Sequence, residues 1–188
     1  LDEISQEALL IGAVNTIKRV DDTLIGYNTD GLGFISSLEE ELGVTPLGKS
    51  ILIVGAGGAA RAVAIQLALR GASKIAIANR TEERAEDLAR YIEDNIRGCS
   101  TEALPISLLK EAILDADILI NATPVGMISY PVKRLIEAEW LKEDLIVCDL
   151  VYNPRQTQLL REAKEKGART LEGLGMLVFQ GALALQIW

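Results

Sequence analysis

Residues 55–60 read Gly55-Ala-Gly57-Gly58-Ala59-Ala60, the G-x-G-x-x-[GA] spacing with which a chain wraps a pyrophosphate. Gly55 permits a tight turn out of a strand, and Gly57 lets the backbone come close to phosphate oxygens. Ala60 allows the following helix to pack on that strand. The first turn of this helix, with Gly58 and Ala59 in it, offers free N–H groups and the positive end of a dipole to an anion. At the end of the next apolar run comes Asn79-Arg80-Thr81, with Arg84 one helical turn on. A site for NAD(H) usually carries a carboxylate here for the ribose 2′-hydroxyl. Two arginines instead suit a 2′-phosphate, through bidentate and charge-assisted hydrogen bonds. These nine residues therefore predict an NADP(H) site. The structural alternative is a tight turn in an unrelated α/β fold, with Arg80 solvated and Arg84 paired to Glu83 or Asp87.

The elements that must hold this turn alternate along the chain. Ile51–Val54 is wholly apolar, as in a parallel strand buried on both faces. A helix over 58–70 follows and stops at Gly71. The pattern continues as strand 74–78, helix 81–96 with Thr81 as N-cap, weaker strand 101–106, short helix 107–114, strand 117–121, strand 145–150, helix 156–166, strand 168–171 and a last helix from about Gly173. Alternating βα units imply a parallel sheet with right-handed crossovers. Upstream, 13–20 and 23–27 read as a hairpin about Asp21-Asp22. A helix over 31–42 follows, with Leu32, Ile35, Leu38 and Leu42 on one face and Thr29 or Asp30 as its cap; 43–49 is a linker.

Composition closes several functional classes. Of 188 residues, 49% are apolar and 4% aromatic, so a globular core is filled by Leu, Ile, Val and Ala. The net charge of −8 argues against a nucleic-acid partner. The absence of histidine removes Ser-His-Asp chemistry and histidine-based metal sites, and no metal site is expected. No apolar run reaches the ~20 residues of a membrane span. Cys99 and Cys148 read as two buried thiols of a cytoplasmic protein rather than as a disulfide. Oligomeric state, monomer or homodimer, is not legible.

The motif series resembles the shikimate dehydrogenase family over nearly the whole chain. Gly12-Ala13-Val14-Asn15-Thr16 and Asn28-Thr29-Asp30-Gly31 resemble its substrate-side motifs. The glycine turn and Asn79-Arg80-Thr81 resemble its cofactor motifs. Asn121-Ala122-Thr123-Pro124-Val125-Gly126-Met127, Asp149-Leu150-Val151-Tyr152-Asn153-Pro154 and Gly175-Met176-Leu177-Val178-Phe179-Gln180 complete the order. The resemblance implies NADPH-dependent reduction of 3-dehydroshikimate to shikimate, in the biosynthesis of chorismate and aromatic amino acids. It makes Asp30 catalytic and gives the small-molecule substrate to Asn15, Asp30, Tyr152 and Gln180. Thr123, Met176 and Gly173 go to the cofactor, the first two at its nicotinamide end. Read from the residues alone, Asp30 serves equally as a helix cap, Asn15 as a hairpin hydrogen-bonder, Tyr152 as a packing residue and Met176 as core.

The resemblance also implies the fold class: α/β, a Rossmann-type doubly wound parallel sheet with remnants of a second α/β substrate-binding domain. Residues 1–29 are expected to belong to that remnant, 30–172 to the cofactor domain, and 173–188 to a helix packing back on the substrate side. The family's catalytic lysine precedes the Gly12–Thr16 motif, and neither Lys18 nor Lys49 matches its motif. The chain is accordingly expected to be a fragment that binds NADP(H) with little turnover. Other readings are an NAD-using quinate/shikimate dehydrogenase, a non-catalytic NADP-binding module, and the cofactor domain of a glutamyl-tRNA reductase. That last enzyme needs a reactive cysteine and a tRNA surface, which the acidic charge disfavours.

Overall fold

The computed structural model describes residues 1–130 and 134–188. Its first part is a small sheet: β1 (Glu3–Ile4), then helix α1 (Gln6–Ile11), then β2 (Thr16–Val20) and β3 (Thr23–Tyr27), in the order β1-β3-β2. The hairpin of β2 and β3 is antiparallel, with Asp21 in the left-handed region at its turn. Neither β1 nor α1 is expected from the sequence. β1 is only 2 residues long and exposed, and α1 is a helix of 6 residues that buries only Ala8 and Ile11. What makes α1 is its ends. The Ser5 hydroxyl accepts from the Ala8 N–H, and Gly12 closes the helix at φ 74°.

Next comes α2 (Asp30–Leu42), which starts one residue earlier than expected. Its first N–H is not satisfied by Thr29 or by the Asp30 side chain; the Asn28 side chain accepts from the Asp30 N–H at 3.1 Å. The helix also buries more than a single face. Phe34 and Ser37 are buried while Leu32 and Leu42 are only half-buried, because α2 lies between two other helices described below.

The remainder is a Rossmann-type sheet. β4 (Ser50–Val54), β5 (Lys74–Ala78), β6 (Ser100–Leu104), β7 (Ile118–Asn121), β8 (Ile146–Asp149) and β9 (Arg169–Leu171) form a six-stranded, wholly parallel sheet in the order β6-β5-β4-β7-β8-β9. The helices are α3 (Gly58–Leu69), α4 (Glu82–Asn95), α5 (Leu109–Leu114), α6 (Gln158–Glu165) and α7 (Gly173–Ile187). β6 ends at Leu104, short of the expected 106, because Pro105 has no N–H for the ladder. Thr81 stands before α4, but its hydroxyl caps nothing. Its carbonyl is the anchor there, accepting from the Asn79 amide at 2.8 Å and the Arg84 N–H at 3.2 Å.

The strands are apolar throughout because both faces are covered. Ile51 and Ile53 point into one core with Ile65, Ile75, Ile77 and Ile92, whereas Leu52 and Val54 point into another with Leu119, Val147 and Leu160. Among the described residues no helix is long and apolar enough to cross a membrane. The order reverses between β4 and β7, so a crevice opens beyond their carboxyl ends, where sheets of this kind take their ligands.

Candidate active site

The glycine turn sits at that crevice. Gly55 leaves β4 at φ 116°, and a Cβ on it would fall 2.8 Å from the Ala122 carbonyl oxygen, so only glycine lets the chain turn here against the segment after β7. Gly57 and Gly58 have nothing within 4 Å of where a Cβ would stand, and together with Ala59 they are exposed; Ala60 is fully buried under the sheet. The turn therefore presents bare backbone N–H groups at the head of α3, as phosphate binding requires.

Two clefts flank it. One of about 440 Å³ lies beyond β5, β6 and β7 and is lined by Asn79, Arg80, Ile106, Thr123, Val125 and Tyr130, among others. The other, of about 310 Å³, is lined by the glycine turn with Arg61, Arg84, Asp87 and Leu88. Arg80 lines the first cleft and Arg84 the second. Neither makes an ion pair among the described residues, so the pairing of Arg84 with Glu83 or Asp87 is not seen.

The expected substrate-side residues largely converge. Asn15 donates to Asp30 at 2.8 Å and to Thr29 at 3.1 Å, and its oxygen accepts from the Thr29 N–H at 3.0 Å. The Thr29 hydroxyl lies 3.4 Å from Gln180 Oε1, to which it donates. Glycines bring these elements together. A Cβ on Gly31 would stand 2.4 Å from the Ala62 carbonyl of α3, and one on Gly33 would stand 2.7 Å from the Gln180 nitrogen of α7. So α2 is pressed between α3 and α7, and Asn15, Asp30 and Gln180 meet at its head. Tyr152 is exposed beyond β8 and joins no hydrogen bond to this cluster. Gly173 is buried on the end of β8, and Met176 is half-buried and packs on the core, as its apolar surroundings suggest.

Three residues at this crevice carry no role in the sequence reading. Arg61, on α3, donates to the last carbonyls of α1, Leu10 at 3.3 Å and Ile11, and its guanidinium lies 4.1 Å over the Tyr91 ring. Asn121 and Asp149 stand side by side at the ends of β7 and β8. The Asp149 carboxylate is 1% exposed, and burial pushes its pKa up to about 6 against the lowering effect of hydrogen bonds from Thr157, Val151 and Asn121. The available signal was a polar residue closing each of two apolar strands. Burial raises both cysteine pKa values, so neither Cys99 nor Cys148 is poised as a nucleophile, and neither is in a disulfide. No metal-binding cluster occurs among the described residues.

Topology, turn and crevice together define a Rossmann-type domain of the dinucleotide-binding class. Sequence similarity narrows this. The family profile described as Shikimate / quinate 5-dehydrogenase matches residues 39–165, and the chain belongs to that family. It is 52% identical to the shikimate dehydrogenase (NADP(+)) of Methanocaldococcus jannaschii, over all of this chain and 66% of that protein. A crystal structure of a shikimate dehydrogenase in complex with NADP+ superposes with a TM-score of 0.90 at 49% identity, covering all of this chain and 65% of that one. The shikimate 5-dehydrogenase of Listeria monocytogenes, in complex with shikimate and NAD, gives 0.93 at 42%, covering all of this chain and 67% of that one. The chain thus spans about two thirds of the length of the curated relatives it matches.

Proposed function

We propose that this chain is the cofactor-binding part of an NADP-dependent shikimate dehydrogenase, which reversibly reduces 3-dehydroshikimate to shikimate. The convergence of Asn15, Asp30 and Gln180 at the head of α2, pressed against the helix that opens from the glycine turn, carries this reading. A module that only bound a dinucleotide would have no use for that cluster.

When bound, the cofactor supplies the hydride. The chain supplies the rest. Gly55, Gly57, Gly58, Ala59 and Ala60 would hold the pyrophosphate at the head of α3, and Arg80, with Asn79, Thr81 and Arg84, the adenosine 2′-phosphate. Thr123 and Met176 would border the nicotinamide, and Gly173 would contribute elsewhere to the cofactor site. Asn15, Gln180 and Tyr152 offer donors and acceptors suited to the hydroxyls of a cyclohexene acid. Reduction of the carbonyl leaves an alkoxide that must gain a proton. In the oxidative direction Asp30, oriented by Asn15, would accept a hydrogen bond from the substrate hydroxyl and take its proton as the hydride leaves; in reduction the same carboxyl would return that proton.

Residues 1–29 would then belong to a substrate domain, 30–172 to the cofactor domain, and 173–188 to a helix that returns to the first; the Trp188 indole donates to the Ile17 carbonyl at 2.8 Å, in keeping with this. Two free, buried cysteines suit a cytoplasmic protein. The test is NADP+ reduction by the intact protein with shikimate or quinate as substrate. Shikimate is expected to be preferred, and Asn15→Ala to raise its KM at least ~10-fold, the loss of ~1.4 kcal/mol of binding, with cofactor affinity unchanged. A preference for quinate with NAD+ would overturn the assignment.

A further inference from the structure

We propose that Asp149 is a positioning residue for the nicotinamide half of the cofactor, acting through Asn121 on the turn that carries Thr123. The inference rests on the NADP(H) reading above. It goes beyond that reading in assigning a function to a carboxylate that would touch neither cofactor nor substrate.

The turn at 121–126 lies against the dinucleotide turn, since the Ala122 carbonyl is what a Cβ on Gly55 would strike. Its shape is set by one side chain. Asn121 Oδ1 accepts from the Thr123 N–H at 3.1 Å and from the Thr123 hydroxyl at 2.7 Å, and Asn121 Nδ2 donates to the Val125 carbonyl at 3.1 Å. The Thr123 oxygen in turn accepts from the Val125 N–H at 3.2 Å. These bonds require the Asn121 amide to face one way, oxygen toward Thr123.

Asp149 fixes that choice. Asn121 Nδ2 donates its second hydrogen to Asp149 Oδ1 at 2.9 Å in a buried contact, and an ionised carboxylate only accepts, so the flipped amide would set two acceptors against each other. The same carboxylate accepts from the Val151 N–H at 3.0 Å, one residue before Tyr152, and from the Thr157 hydroxyl at 2.6 Å, which itself caps α6 by accepting from the Leu160 N–H. One buried group thereby ties the cofactor-side turn to the segment that carries Tyr152. The register places it to do so: Val54, Asn121 and Asp149 form one row across β4, β7 and β8 at the crevice.

A defect in this hub should loosen the nicotinamide side more than the adenosine side, where Arg80 and the glycine turn have no hydrogen bond to it, although Thr123 and Val125 line the cleft of Arg80 and Ala122 lies against Gly55. The experiment compares NADPH with 2′,5′-ADP, which carries the adenosine with its 2′- and 5′-phosphates and lacks the nicotinamide half, as ligands of the 188-residue chain. Asp149→Leu is expected to weaken NADPH at least ~10-fold, the equivalent of ~1.4 kcal/mol, and to leave 2′,5′-ADP within ~2-fold. Asp149→Asn keeps an oxygen for Asn121 and Val151 and turns its amide to the Thr157 oxygen, so it should bind both ligands as the wild type does. Asn121→Leu, which leaves the carboxylate its Val151 and Thr157 partners, should reproduce the NADPH loss and serves if Asp149→Leu does not fold. The proposal is overturned if NADPH binds undiminished, if both ligands weaken together, or if Asp149→Asn fails like Asp149→Leu. A wild-type chain that binds neither ligand would sink the NADP(H) reading, and this inference with it.

Discussion

Replacing Asp149 with asparagine should change the protein's stability in a pH-dependent way whose sign follows from burial. The carboxyl's pKa rises from 3.8 to about 6, with desolvation the largest cause. A group whose folded pKa is raised contributes stability below its unfolded pKa and loses it as pH climbs through the folded value. Below about pH 4 Asp149 is protonated in both states and carries no penalty; above about pH 6 it is ionised in a buried site, which costs about 3 kcal/mol for a shift of about two units. About 2 kcal/mol of this develops between about pH 4.5 and 7.5. Asparagine keeps the bonds from Asn121 and Val151 but never ionises. Its stability relative to wild type should therefore improve by about 2 kcal/mol across that interval. All other acids titrate in both proteins and cancel in the difference. Urea unfolding at the two pH values, followed by circular dichroism and the fluorescence of Trp140 and Trp188, reads the effect. A difference between variant and wild type that stays constant with pH would refute the reasoning, and so would one that moves against asparagine as pH rises.

Two further variants probe the joints of the site. Arg61→Ala removes charge-assisted bonds to the Leu10 and Ile11 carbonyls and the stacking on Tyr91, and should cost ~2–3 kcal/mol in urea unfolding while speeding amide exchange over Gly12–Thr16; unchanged exchange there would show that α1 is held by its apolar contacts alone. Gly33→Ala drives a methyl group to within 2.7 Å of the Gln180 backbone and should cost ~1–3 kcal/mol by parting α2 from α7, whereas a variant as stable as wild type would mean that the helices do not press together here.

Much of this architecture is legible in the sequence because it is local or periodic. The βα alternation, the apolar run at Ile51–Val54 and the glycine turn are each carried by neighbouring residues whose types leave few alternatives. The misses have a common cause. The start of α2 is capped by Asn28 rather than by Thr29, and the choice between them depends on how Asn15 occupies Thr29. α1 stands on its Ser5 and Gly12 ends and on Arg61, which is 50 positions away in the chain from Ile11. Asp149 gains its meaning only from its register with Asn121, 28 residues away, which no motif spacing conveys. The expected residues Asn15, Asp30 and Gln180 come together, but the Thr29 that joins them is visible only once α7 has folded back on α2.

The most direct test of the account is cofactor choice. Arg80 is exposed at the end of β5, makes no ion pair among the described residues, and lines the larger cleft beside Asn79. Titration of the chain with NADPH and with NADH, followed by nicotinamide fluorescence, should show NADPH binding at least ~10-fold tighter, a preference worth ~1.4 kcal/mol, and Arg80→Ala should erase most of it without weakening NADH. Equal binding of the two cofactors by the wild-type chain, or a preference that survives Arg80→Ala, would contradict the assignment of this site to NADP(H).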